Sequence, residues 1–212
     1  MKKILLLGAT GFVGQVVLSQ LLSNQYKVTI LIRDNSKAIQ PKQNLKIIIG
    51  SILNGNDVQK ALEEQDVVID CLGNGKKADG KQSTFTSDAV KIIVQEMEKS
   101  EVRRLICMSN VGTIASNSPW YFKRIIIPIF LRKLIPIIED KERLDKIVKD
   151  STLDYTIVYF QKIKKSKDNK KIKLSVDGKG IGFSISVVDC AKFLITQIND
   201  IRFLKMSLSA SN

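Results

Sequence analysis

Apolar runs rich in Ile and Val alternate along the chain with amphipathic segments. They fall at residues 3–7, 14–23, 27–32, 58–63, 66–71, 87–99, 104–108, 141–149 and 155–159. The odd-numbered members of this series are apolar at nearly every position, which is the pattern of strands buried on both faces. The even-numbered members carry their apolar residues at helical spacing. Ala89, Ile92, Ile93 and Met97 share one helix face, and Leu144, Ile147 and Val148 share another. The alternation predicts an α/β protein, a doubly wound parallel sheet flanked by helices. No repeat and no linker divides the chain, so one domain over 1–212 is expected, with residues from about 155 to 212 completing the substrate side.

The first predicted strand runs directly into Gly8-Ala9-Thr10-Gly11-Phe12-Val13-Gly14, which opens the first helix. In that setting Gly8 permits a tight turn, Gly11 lets a pyrophosphate approach the backbone, and Gly14 allows close packing of helix on strand. The helix N-terminus adds N–H donors and a partial positive charge. The strand at 27–32 ends in Arg33, where a site selective for NAD places a carboxylate for the ribose 2′-hydroxyl. A guanidinium matches a 2′-phosphate instead, and Ser36 and Lys37 offer further donors, so NADPH is favoured; Asp34 leaves NAD open.

Composition narrows the chemistry. Lys and Arg number 34 against 21 Asp and Glu, a formal charge of +13 that favours anionic partners. No nucleic-acid recognition motif accompanies that charge, and none is expected to bind. The absence of histidine excludes a Ser-His-Asp triad, His-ligated zinc and His acid/base catalysis, and no metal site is expected. Cys71, Cys107 and Cys190 are widely spaced within or beside apolar runs and read as buried, reduced thiols, consistent with a cytoplasmic location. Met1-Lys2-Lys3 and the following apolar residues imitate a leader only until Gly8. The apolar stretch 125–138 is interrupted by Pro128, Arg132, Lys133 and Pro136, so no transmembrane helix is expected.

The chain resembles the atypical short-chain dehydrogenase/reductases, the NAD(P)H-binding group that includes the NmrA-like proteins and flavin reductase (biliverdin reductase B). The likeness rests on the glycine turn, Val28-Thr29-Ile30-Leu31-Ile32-Arg33-Asp34, Gly50-Ser51-Ile52-Leu53, Asp66-Val67-Val68-Ile69 with Leu72-Gly73, and Ile106-Cys107-Met108-Ser109. Leu153-Asp154-Tyr155-Thr156-Ile157-Val158, Val176-Asp177-Gly178-Lys179-Gly180 and Ile185-Ser186-Val187-Val188-Asp189 are similar to the flavin reductase branch. The resemblance implies a single-domain Rossmann fold. It implies that Gly8, Thr10, Gly11, Phe12, Val13 and Gly14 hold the pyrophosphate, Arg33 the adenosine phosphate, and Ser51 and Ile52 the adenine side. Leu72, Gly73 and Ser109 would border the nicotinamide and substrate.

Three departures mark this sequence. Ser51 stands where the family usually has Asp for the adenine amino group. Lys141 matches the lysine of the Ser, Tyr and Lys dehydrogenase site, but Ile137 stands four residues before it, in the tyrosine's place, and cannot donate a proton. Phe160-Gln161-Lys162 replaces the branch's Pro-Pro-His run. The resemblance therefore implies an NADPH-dependent reductase passing hydride to a flat aromatic acceptor such as a flavin or quinone. Ser109 and Lys141 are the candidate catalytic residues, and solvent or Lys162 is the proton source. The alternative is a non-catalytic dinucleotide sensor of the NmrA type; on either reading a monomer or homodimer is expected. Residues 161–173 hold seven lysines and read as a solvated segment, with an electrostatic funnel as the alternative. The segment 120–138, with Trp120, Tyr121 and Phe122, reads as core or subunit contact rather than a lid.

Overall fold

The computed structural model describes residues 1–33, 39–73, 84–109, 135–166 and 170–212. Strands β1 (Lys3–Leu7), β2 (Lys27–Ile32), β3 (Leu45–Ile49), β4 (Val67–Asp70), β5 (Arg104–Ser109) and β6 (Asp154–Tyr159) lie parallel in the order 3-2-1-4-5-6. After β6 the sheet continues through β10 (Met206–Ser211), parallel to β6, and ends at β8 (Lys173–Ser175), antiparallel to β10. The short strands β7 (Ile163–Lys164) and β9 (Ile185–Ser186) pair separately. Ser109 is directly opposite Tyr159 in the β5–β6 register, and Asp70 is opposite Cys107.

Helices α1 (Phe12–Ser23) and α5 (Val187–Thr196) cover one face of the sheet, and α2 (Gly55–Leu62), α3 (Phe85–Glu98) and α4 (Ile135–Asp150) cover the other. Because strand side chains alternate between faces, β1 divides its residues between the two layers: Ile4 and Leu6 pack with α1 and α5, while Leu5 and Leu7 pack with the second layer. All four are at most 1% exposed, which explains the continuous apolar run in the sequence.

The predicted strands and helices all form, with ends displaced by up to a few residues except at α4, which starts at Ile135 rather than at 141. Leu144 and Val148 of α4 are fully buried as expected, while Ile147 is only partly so. The alternation missed β3, an edge strand with a half-wet pattern in which Ile49 is 58% exposed, and the elements after β6. Cys71, Cys107 and Cys190 are free thiols and buried, as expected. The lysines described within 161–173 are exposed, the solvated arrangement. Residues 120–134, Tyr121 among them, lie outside the described residues, as do Asp34, Ser36 and Lys37. Among the described residues, no helix is long and apolar enough to cross a membrane.

Candidate functional site

The site begins at the first βα turn. Gly8 has φ +73°, and a Cβ there would lie 2.6 Å from the Cys71 carbonyl oxygen, so conformation and space both require glycine. Gly14 presses α1 onto the turn so closely that a Cβ would lie 2.1 Å from the Gly8 carbonyl oxygen. The Gly11 amide donates to that same carbonyl at 2.9 Å and closes the turn. Gly11 is the N-cap of α1 but makes no side-chain cap, and the first turn contains no acidic residue. Among the described residues, the first amides of α1 thus have neither a side-chain cap nor an acidic residue in their own turn, which leaves their partial positive charge for a ligand.

These residues border a cleft at the C-terminal ends of the strands, lined by residues 7–11, 31–33 and 71–73 together with Gly50, Ile52 and Phe85. Of the candidates from the sequence, Gly8, Thr10, Gly11, Arg33, Ile52, Leu72 and Gly73 come together here. Phe12, 49% exposed, and the buried Val13 and Gly14 continue into α1. Leu31, Ile32, Cys71 and Phe85 also line the cleft and were not singled out from the sequence. Ser51 is beside it, but its hydroxyl accepts from the Leu53 amide at 3.2 Å and its own amide donates to Asp57 Oδ2 at 2.9 Å. Its side chain thus caps a local turn, and Asp57 supplies the carboxylate of this corner.

Ser109 and Lys141 do not line that cleft. They belong to a polar seam between the sheet and α4. Asp70, Cys107, Ser109 and Tyr159 project from the ends of β4, β5 and β6 toward α4, which answers with Lys141, Asp145 and Lys149, one turn apart along one face. Lys141, 4% exposed, donates from Nζ to the Leu72 carbonyl at 3.2 Å, so it braces the cleft's β4 margin from behind. Asp70 is fully buried. Its carboxylate accepts from the Leu72 amide at 2.8 Å and from Cys107 Sγ at 3.4 Å. Burial pushes its pKa up, opposed by the Lys141 charge. Burial likewise pushes the Cys71 and Cys107 thiols up, helped by Asp70, which keeps them protonated and poor nucleophiles. Lys162 is exposed, and its carbonyl accepts from Ile185 in the small sheet. Among the described residues, no cluster of His, Cys, Asp and Glu could hold a metal ion.

A parallel sheet in this strand order, carrying a glycine cradle and an uncapped helix at its first βα turn, defines a Rossmann-fold dinucleotide-binding protein. The chain belongs to the NAD(P)H-binding family, whose model matches residues 8–201, in accord with its resemblance to the atypical short-chain dehydrogenase/reductases. It is 22% identical over 205 residues to the yeast protein YMR090W of Saccharomyces cerevisiae, covering 92% of this chain and 86% of that one. Its fold is similar to that of a short-chain dehydrogenase/reductase from Veillonella parvula solved in complex with NADP, with a TM-score of 0.81 and 20% identity, covering 100% of this chain and 94% of that one. It is also similar to ChuY, an anaerobillin reductase from Escherichia coli O157:H7, with a TM-score of 0.79 and 19% identity over 99% and 96% of the two chains.

Proposed function

We propose that the protein is an NADPH-dependent reductase whose acceptor is a flat aromatic molecule of the flavin or quinone type. The observation that carries the cofactor in this reading is the cradle itself: Gly8 and Gly14 have no room for a Cβ, α1 has no side-chain cap, and Arg33 borders the same cleft; the acceptor class is what the family resemblance implies. Thr10, Gly11, Phe12 and Val13 would hold the pyrophosphate by backbone amides, and Arg33 the adenosine 2′-phosphate. When bound, NADPH supplies a hydride equivalent, so the protein's own task is orientation and exclusion of water. Leu72 and Gly73 border the reacting end, Ile52 faces the adenine end, and Lys141 holds Leu72 in place. That an anaerobillin reductase shares the fold supports a reductase. Residues 1–212 would act as one domain, as monomer or homodimer in a reducing cytoplasm.

Mixing the protein with NADPH and FMN, riboflavin or a small quinone, beside an NADH series, tests this reading through loss of NADPH absorbance. Turnover above the protein-free rate is expected, with NADPH preferred. The second reading, a dinucleotide sensor, is favoured by Ile137, an apolar side chain at the start of α4 in the place of the proton-donating tyrosine. Binding of NADPH without turnover of any acceptor would establish it. For the cofactor preference, Arg33→Ala is expected to weaken NADPH binding by about tenfold or more, the worth of a charge-assisted phosphate contact, and to leave NADH binding nearly unchanged. Titration of NADPH fluorescence checks both, and equal losses for the two cofactors would remove Arg33 from the 2′-phosphate site.

A further inference from the structure

We infer that Asp145 and Tyr159 form, with Ser109 and Lys149, a proton relay that runs from the surface of α4 to the inner ends of β5 and β6. The inference rests on the reductase reading and, beside Ser109, names Asp145, Tyr159 and Lys149, which the resemblance to the family leaves without a role.

The geometry carries it. Lys149 is exposed and donates from Nζ to the Tyr159 hydroxyl at 3.4 Å. That hydroxyl, in a side chain only 7% exposed, donates to Asp145 Oδ2 at 2.6 Å. Both donors therefore point inward from solvent. At the inner end, Asp145 Oδ1 and Ser109 Oγ are buried and make no hydrogen bond among the described residues. The Ser109 hydroxyl nevertheless lies close enough to the carboxyl to lower its pKa. A buried oxygen without a partner is costly. Each of these two leaves hydrogen-bonding capacity unused at the inner end of the chain, where the Ser109 hydroxyl, a donor and an acceptor at once, can take a proton from Asp145 and give up its own.

The surroundings favour a group that takes and gives protons. Burial pushes the Asp145 carboxyl above the ordinary aspartate range, opposed by the hydroxyls of Tyr159 and Ser109 and by the charges of Lys149 and Lys141. Burial and the Asp145 charge push the Tyr159 phenol up, opposed by Ser207 of β10, so it remains a protonated donor. Asp70 and Cys107 complete the sheet side of the seam near Lys141. On the flank of α4 toward α3, Asp140 meets Thr86 and Ser87, and Glu98 meets Thr152. Ile137 removed the familiar proton donor from α4, and this seam replaces it two turns further along the same helix.

The overall conversion takes up one proton: acceptor, NADPH and a proton give the two-electron-reduced acceptor and NADP+. Hydride from the cofactor brings two electrons, and the second hydrogen reaches the flavin or quinone as a proton. Ser109 is at the C-terminal end of β5, beside the β4 end that carries Leu72 and Gly73, so an acceptor bound beyond that margin of the cleft would take the proton from Asp145 through the Ser109 hydroxyl, and Asp145 is refilled through Tyr159 from solvent at Lys149.

The test has two arms. In the free protein, the Asp145 carboxyl carbon is followed by 13C NMR and assigned by its loss in Asp145→Asn. It is expected to titrate above the ordinary aspartate range and to move higher still in Tyr159→Phe, which lacks the bond that holds it down. A resonance in the ordinary range, or one unmoved by Tyr159→Phe, overturns the relay whatever the reaction. In turnover with NADPH and a small quinone, Asp145→Asn and Tyr159→Phe are expected to lower kcat by about 100-fold without changing KM for NADPH. Asp145→Glu is expected to restore part of the loss, and wild type to show a solvent deuterium isotope effect. Turnover equal to wild type in both variants overturns the relay and leaves the reductase reading standing; absence of wild-type turnover overturns both. Retained NADPH binding in each variant separates loss of proton delivery from loss of fold.

Discussion

Gly14→Ala is expected to destabilise the protein by about 3 kcal/mol and to abolish NADPH binding, although glycine to alanine within a helix ordinarily stabilises by about 1 kcal/mol. The sign reverses because of what the methyl would meet. Its carbon would be placed 2.1 Å from the Gly8 carbonyl oxygen, 2.7 Å from the Gly8 carbonyl carbon and 2.9 Å from the Ala9 Cα. All three are backbone atoms, so no rotamer change relieves the contact, and α1 must lift from β1. That movement opens the turn closed by Gly11 on the same Gly8 carbonyl and displaces the amides meant for the pyrophosphate. Urea unfolding and NADPH fluorescence measure the two effects. Gly55→Ala serves as the control, since its added carbon would meet only the end of the Glu96 side chain at 3.3 Å and is expected to change stability little. A Gly14→Ala protein as stable as wild type would refute the packing argument.

Asp140→Ala is expected to cost about 3 kcal/mol or more, because one fully buried carboxylate satisfies the start of a helix to which it does not belong. The N-cap residue of α3, Thr84, makes no side-chain cap. Asp140 of α4 caps it instead, accepting from the Thr86 amide at 3.0 Å, the Ser87 amide at 3.0 Å and the Thr86 hydroxyl. Removing it leaves buried donors without acceptors and loosens α3 from α4 together. Burial alone would raise the carboxyl pKa, but the bonds from Ser87 and Thr86 outweigh it and hold the group below its ordinary value of 3.8. A depressed folded pKa contributes stability that is present above the unfolded value and is lost as pH falls through the folded one. The difference in stability between wild type and Asp140→Asn is therefore expected to be constant near neutrality and to shrink in acid below about pH 3.8. Denaturant midpoints across that range check it, and a difference that grew on acidification would reverse the assigned direction.

These two residues also illustrate what a sequence can disclose. Gly14 is legible because its partner, Gly8, belongs to the same short motif and the strain is local. The double burial of β1 is legible for the same reason, each side chain reporting the face it occupies. Asp140 is not legible: its donors are 53 and 54 positions away, and nothing near it marks it as a cap. The seam behind the cleft was legible only at Ser109 and Lys141, through the resemblance; Asp70, Asp145 and Tyr159 escaped in the same way as Asp140. Lys141, Asp145 and Lys149 read as one turn-by-turn charged face of a helix, a pattern that usually means solvent. Only the docking of α4 over Asp70, Ser109 and Tyr159 turns that face inward. β3 was missed because an edge strand that is wet on one side lacks the continuous apolar signature of its neighbours.

The placement of β10 between β6 and β8 has a consequence for assembly in time. About fifty residues separate β6 from the strand that hydrogen-bonds along its outer edge, a span comparable with the roughly sixty between β1 and its partner β4. At roughly 5–20 residues per second of synthesis, that edge stands open for several seconds, exposing Thr156, Ile157, Val158 and Tyr159 to any strand that reaches them first. The nascent chain is thus open to mispairing between completion of β6 and arrival of β10, and a chaperone that shields apolar strand edges would act in that interval.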